Sequence, residues 1–369
     1  MKHLSIIILS LCIFSVSNIA LAHHASSPHF DRNKLVSIEG VVSEFKFVNP
    51  HAYVYLVVTN EDGVTETWNC EMNAASFLRR IGWTADILKP GTQITIQGTA
   101  ARRDPLGCAF QSGTLSDGTE LARDGTITAG SGEIAAAPSE VEALKEIGQS
   151  IFGNWLTPPL DFMIARSPMG VAGMAANLGP MEGTAENPLG QYTQHMTEEG
   201  LSVSLTFDLR FDDPAFSCSP GSIIRGWSEP SSTSEITQVD QQIFIKHEFM
   251  DTSRVVYMDG RDHPEEGEFG FTGHSVGRFE GDELVIETTR FDAGVLFPHP
   301  GVLHSDQLMI EERIRVSEDG SELVREYRAT DPLHFSKPIT GTNQWVRTDL
   351  PIEQYNCEEL SGVNNQRQE

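Results

Sequence analysis

From Glu235 onward the chain runs in a period of two, and this alternation limits its fold more than any other feature. Side chains on a β-strand point to opposite faces in turn, so apolar–polar alternation marks a strand with one buried face. The clearest runs are 243–250, 254–259, 274–280, 283–291, 307–316, 322–329 and 342–348. Gly281-Asp282 and Asp319-Gly320 fall between successive runs, where a tight hairpin needs residues that tolerate positive φ. Seven or more antiparallel strands in sequence predict an up-and-down barrel or a strongly curved sheet. Residues 156–232, just before them, are irregular and rich in Pro, Gly and Met.

A shorter set of strands comes first. Runs 36–48, 52–58 and 65–72 are rich in β-branched and aromatic residues, with Gly40 as a bend and Glu61-Asp62-Gly63 as a turn. The period then changes. Asn73 is placed to cap a helix over 74–80, with Trp83 and Leu88 packing behind it. Pro90-Gly91 introduces a strand at 92–100, and 111–121 holds a fifth around the turn Asp117-Gly118. Three strands, a helix and two strands is the order of an OB-fold, a small five-stranded barrel. OB-folds often bind oligonucleotides or oligosaccharides, but fold alone does not give function. The predicted class is all-β and mainly antiparallel. Its parts are a leader at 1–22, an OB-like barrel at 23–124, a small-residue linker at 125–150 and a larger β-barrel at 151–369.

Residues 1–22 read as a signal peptide. Lys2 gives a positive start, 4–14 is apolar, and Ala20-Leu21-Ala22 is a small-x-small cleavage site. The alternative is an uncleaved N-terminal anchor. No later stretch approaches the roughly 18 apolar residues that a helix needs to cross a bilayer. The sequence therefore predicts a periplasmic or secreted protein with no transmembrane segment. Cys12 leaves with the leader, so Cys70, Cys108, Cys218 and Cys357 remain, an even number for an oxidising compartment. Three pairings are open. Cys70–Cys108 with Cys218–Cys357 is favoured because each bridge stays within one predicted domain. The formal net charge of −26 repels phosphate backbones, which argues against a nucleic-acid partner.

Three stretches together resemble a family of exported bacterial proteins of unknown function. The first is His23-His24-Ala25-Ser26 with Glu39-Gly40-Val41 and Asn49-Pro50-His51-Ala52. The second is Tyr257-Met258-Asp259-Gly260-Arg261 with His263-Pro264. The third runs from Gly273-His274-Ser275-Val276-Gly277-Arg278 through Phe279-Glu280-Gly281-Asp282 to Leu284-Val285-Ile286-Glu287-Thr288, with Pro298-His299 and His304-Ser305. Phe279 stands where this pattern usually has tryptophan. The resemblance implies a small β-barrel followed by a lipocalin-like β-domain, and implies no reaction. Gly153-Asn154-Trp155 is similar to the Gly-x-Trp opening of lipocalins and stands where a first barrel strand belongs.

Two places offer chemistry. Cleavage after Ala22 gives His23 a free α-amine beside its imidazole, and His24 and His51 add further nitrogens. Nitrogen ligation in an oxidising compartment suits Cu(II), so these three are the candidate metal ligands. The competing reading is a polar start with His51 in a surface turn. The larger barrel holds the other set. By strand parity Glu312 shares a face with Leu308, Ile310, Ile314 and Val316. A carboxylate among apolar neighbours needs a partner or a raised pKa. Arg278, in phase with His274, is the candidate partner for Glu312 or Glu287, either in a ligand pocket or as a structural ion pair plugging the barrel. His263, His299 and His304 lie in or beside loops. His299 or His304 is a candidate base oriented by Asp306, or a zinc ligand with it. The candidate catalytic set is thus His274, His304, Asp306 and Glu312. The candidate ligand-binding set is His263, Arg278, Glu287 and His299. GxSxG in a strand-to-helix turn, HExxH, a P-loop and GxGxxG after a strand are all missing from the sequence.

The leading reading is a periplasmic or secreted binding protein. Its larger barrel holds a small, partly apolar ligand, and its N-terminus is the copper candidate. The alternative is a lipocalin-like enzyme doing acid–base chemistry: an isomerase, hydratase or lyase. A third reading is an envelope module whose OB-like barrel binds a partner protein or glycan. A deep pocket with convergent His, Arg and carboxylate groups favours the first two. A barrel filled by side chains, with an exposed apolar patch on the first domain, favours the third.

Overall fold

The computed structural model describes residues 29–60, 62–123, 126–130, 134–135, 150–158, 189–229 and 231–360. The predicted leader, its cleavage site, His23, His24 and most of the linker lie outside the described residues. The first unit contains β1 (Phe30–Lys46), β2 (Tyr53–Thr59), β3 (Thr65–Glu71), α1 (Ala75–Arg80), β4 (Gln93–Ala101) and β5 (Gly107–Leu115). Antiparallel pairing runs β3-β2-β1-β4-β5, and β3 also pairs with β5 in parallel, Cys70 opposite Cys108. That pairing closes five strands into a ring with a helix between the third and fourth, the OB order. The Cys70–Cys108 disulfide spans it. Short strands β6 (Glu120–Ala122), β7 (Ile127–Thr128) and β8 (Ile134–Ala135) continue the sheet from β5.

Alternation places Ile38, Val42, Val54, Leu56, Ile94, Ile96 and Phe110 inside this ring, against Trp83 and Leu88. At Gly98 a Cβ would meet the Ala109 carbonyl at 2.7 Å and Cys108 Sγ at 2.8 Å, so only glycine allows this approach. Asn73 does not cap α1. The cap position is Ala74, which makes no side-chain cap bond. Asn49 does that work from outside the helix: its Oδ1 accepts from the Ser76 N–H at 3.0 Å and from Ser76 Oγ at 3.2 Å, satisfying a first-turn donor.

The second unit opens with β9 (Gly153–Leu156), α2 (Glu198–Ser204) and α3 (Ile223–Gly226). It continues with β10 (Thr233–Val239), β11 (Gln242–His247), β12 (Thr252–Tyr257), β13 (His274–Glu280) and β14 (Glu283–Thr289). A hairpin of β15 (Gly294–Phe297) and β16 (Val302–His304) precedes β17 (Met309–Val316), β18 (Glu322–Thr330) and β19 (Ile339–Thr348). A closed barrel forms in the order β10-β11-β12-β13-β14-β17-β18-β19-β9. The Gly-x-Trp strand β9 closes it by pairing with both β10 and β19. One feature departs from an up-and-down barrel: β12 and β13 pair in parallel, Val256 opposite Ser275. A parallel pair needs a long crossover, which the segment between Tyr257 and His274 supplies.

The barrel is filled. Trp155, Ile236, Ile243, Ile245, Val256, Leu284, Ile286, Ile314, Leu323 and Trp345 form its core. Trp227, just past α3, joins that core, its ring 4.4 Å from that of Trp345 and its carbonyl accepting from Trp345 Nε1 at 3.1 Å. A second apolar cluster joins Ile310 and Ala329, in the inward phase of β17 and β18, to Leu189, Ile223, Leu296, Val302 and Phe335. No helix among the described residues is long and apolar enough to cross a membrane.

A strap at 355–360 ties the two units together. Glu358 N–H donates to the Asn49 carbonyl at 2.7 Å, Asn49 Nδ2 donates to the Tyr355 carbonyl, and Tyr355 N–H donates to Asp251 at 2.9 Å. The Cys218–Cys357 disulfide anchors the strap, and Arg80 of α1 pairs with the buried Glu248. Asn49→Ala would leave a buried helix N–H and a buried carbonyl unpaired. The expected loss is about 2–4 kcal/mol of unfolding free energy, read from urea curves with an unchanged m-value.

Candidate functional site

Inside the barrel, strand parity brings three charged side chains to one level. Arg254 on β12 donates to both oxygens of Glu312 on β17, Nη1 to Oε2 at 2.5 Å and Nη2 to Oε1 at 2.8 Å. Arg325 on β18 donates from Nε to Oε1 at 2.6 Å and from Nη1 to Asn343 Oδ1 at 2.8 Å. Glu312 and Arg325 are wholly buried, and Arg254 nearly so. Burial pushes the Glu312 carboxyl up, but the two guanidiniums outweigh it and hold it at about 2. Nearby His247 contacts Ser234 Oγ through Nδ1 at 2.8 Å and stands against Trp227. Burial, then Arg254 and Arg325, lower its pKa to about 3, so it is neutral. Ser275 and Thr288 complete the polar belt, their hydroxyls 2.9 Å apart.

A second cluster sits on the outer wall. The crossover between β12 and β13 folds back over the barrel and lays His263 against His274, Nδ1 to Nδ1 at 2.9 Å. The other nitrogen of His263, Nε2, lies 3.2 Å from Glu287 Oε1. Tyr257 stacks on the His274 ring at 5.1 Å and Phe269 meets it edge-on at 5.4 Å. Arg261 covers the Tyr257 ring at 4.0 Å. His274 is buried, and Glu287 is about half exposed. Burial first, then the charges of His263 and Arg261, lower the His274 pKa. A distance of 2.9 Å between two imidazole nitrogens holds one shared proton, not two. Glu287, His263 and His274 therefore form a chain of contacts in which the carboxylate meets one nitrogen of the first ring and the second ring meets the other.

The other predicted residues go elsewhere. Arg278 is not the partner of Glu312 or Glu287. It points outward and pairs with Glu280 at 2.5 Å, because Ser275 and Gly277 take the inward phase of β13. Asp306 does not orient His304: it is exposed, and His304 Nδ1 contacts the Ser305 carbonyl at 2.9 Å. The nearby carboxylate is Asp331, which accepts from the Ser305 N–H at 2.6 Å, Ser305 Oγ at 2.8 Å and the His334 N–H at 3.2 Å. His304 is buried, which lowers its pKa. His299 lies 3.7 Å from Asp213, which is already bound by Arg225. Of the metal set, only His51 is described; its Nδ1 lies 3.2 Å from the Met72 carbonyl and 3.4 Å from Glu71. Among the described residues, no group of three or more His, Cys, Asp or Glu is placed to hold a metal ion.

Sequence reasoning missed Arg254, Arg325, Asn343 and His247 inside, and Tyr257 and Phe269 outside. Parity carried a signal for the four inside, since Arg254 is in phase with Val256, Arg325 with Leu323 and Tyr327, His247 with Ile243 and Ile245, and Asn343 with Trp345. A cleft lined by Glu311, Arg313, Glu326, Arg328, Thr340 and Thr342 lies on the outer wall and involves no predicted site residue except the backing strand of Glu312. Residues 11–108 match the model of a family of unknown function (DUF6152). The match runs from the apolar N-terminal stretch into β5, so the outer-wall histidines lie beyond it. No curated protein and no solved structure matches the chain.

Proposed function

We propose that this is an exported protein of the cell envelope that carries out acid–base chemistry on a small molecule at the outer-wall relay of the larger barrel. The contact that carries this reading is the His263–His274 pair with Glu287 behind it. A carboxylate, a relaying imidazole and a terminal imidazole are the parts of a general base, and proton transfer of this kind contributes typically 10²–10⁴-fold. His274 is the proton-exchanging group, His263 relays, and Glu287 orients. Burial lowers the His274 pKa, which favours the neutral ring that can accept a proton. The ligand-in-barrel reading loses support, because tryptophans and the Arg254–Glu312–Arg325 group fill the ring. Export rests on the apolar N-terminal stretch and on two disulfides, which belong to an oxidising compartment.

The test is incubation with a small-molecule extract of a bacterial envelope, followed by mass spectrometry. The wild-type protein is expected to convert at least one species. His274→Gln is expected to slow that conversion by about 10²–10⁴-fold, with thermal unfolding little changed. A species retained on ultrafiltration but never altered would make the protein a carrier and overturn the enzyme reading. So would conversion that His274→Gln leaves untouched.

A further inference from the structure

We infer that the larger barrel binds a small monovalent inorganic anion, of the size and charge of chloride, beside Arg254 and Arg325. The inference is independent of the outer-wall relay. Two guanidiniums and one carboxylate make up the charged group, so one positive charge is left over in a site removed from water. His247, the next titratable side chain, is neutral. The charged groups that act on Arg325 are Glu312, Arg254 and Tyr327. Burial pushes the Tyr327 phenol up to about 12, so it brings no negative charge at neutral pH.

The hydrogen bonding points the same way. Glu312 spends its oxygens on Arg254 Nη1 and Nη2 and on Arg325 Nε. Three buried N–H groups then have no partner among the described residues: Arg254 Nε, Arg325 Nη2 and Trp227 Nε1. Arg254 Nη2 and Arg325 Nε both reach Glu312 Oε1, and the Arg325 guanidinium lies 5.8 Å over the face of the Trp227 ring, so the two arginines and the indole occupy one level of the barrel. All three groups donate and none accepts. Their chemistry selects an anion over a cation, and the leftover charge selects an anion over water. The tryptophan-packed interior favours a monatomic ion over a sulfate or carboxylate. A buried charge without a counter-charge is costly in a low-dielectric site, and binding only to the folded state stabilises it by mass action.

The protein is unfolded and refolded in bromide, crystallised from bromide, and measured at the bromine absorption edge. An anomalous peak inside the barrel, in contact with Arg254 Nε and Arg325 Nη2, is expected. In solution the melting temperature is followed as chloride replaces gluconate at constant ionic strength. It should rise by about 5 °C between about 1 mM and about 100 mM chloride. Arg325→Met removes the leftover charge and one donor, and should abolish the chloride dependence. Should that variant fail to fold, the bromide peak decides on the wild-type protein alone. Ordered water at the three donors, with equal melting in chloride and gluconate, would overturn the inference.

Discussion

Glu312→Gln is expected to remove about 3–5 kcal/mol of unfolding free energy, a large share of the roughly 5–15 kcal/mol that a folded domain has. Among the described residues this carboxylate is the negative charge that lies between the two guanidiniums, and it receives three of their hydrogen bonds. A neutral amide leaves two cations facing each other with no access to water. The pH dependence has the matching sign. The folded pKa of about 2 lies below the usual carboxylate value, so Glu312 contributes stability that is fully present above about pH 4.5 and is lost as pH falls towards 2. The size of that shift gives roughly 3 kcal/mol, in line with the mutational figure. Replacing all three charges together, with Arg254→Met, Glu312→Leu and Arg325→Met, should recover most of the loss. The cost of a buried ion pair lies in breaking it, not in lacking it. Urea unfolding of the single and triple variants checks this. A single variant that loses under 1 kcal/mol would show that the group does not hold the barrel.

The burial of Glu312 was legible in the sequence, and its partners were not. Leu308, Ile310 and Ile314 fix its face, and no other reading of that strand is open. Naming a partner requires strand neighbours, and Arg254 is 58 residues away across the ring. Alternation also says nothing of direction. The parallel β12–β13 pair left no mark in the period, yet it creates the crossover that brings His263 to His274. The OB order was legible because the period switches once, from strands to α1 and back, with Gly and Pro at the joints. The cap on α1 was misplaced for the same reason that Arg254 was missed: Asn73 is the local candidate, while Asn49 reaches Ser76 through the fold. Asp306 was assigned to His304 by nearness in sequence, whereas Asp331 is the carboxylate that the fold brings to that loop.

Acidification from pH 6.5 to pH 3 is expected to cost the larger barrel on the order of 5 kcal/mol through His247 alone. Its imidazole is neutral in the folded protein, with a pKa of about 3, because burial and the charges of Arg254 and Arg325 oppose a third cation. The unfolded chain takes up that proton near pH 6.5. The folded pKa is depressed, so the unfolded state binds more protons across this window and stability falls as pH falls. The expected slope from this group is about 1.4 kcal/mol per pH unit. His274 and His304, also lowered by burial, add to it in the same direction. His247→Gln keeps a side chain able to bond Ser234 Oγ and removes the titration. Its unfolding free energy, measured at intervals across the window, should follow a slope shallower by about one proton. The arginines that hold Glu312 ionised are the ones that forbid His247 its proton, so the two acid responses are coupled. In Arg254→Met, the slope assigned to His247 should weaken along with the grip on Glu312. A wild-type slope unchanged in both variants would place the acid sensitivity elsewhere in the fold.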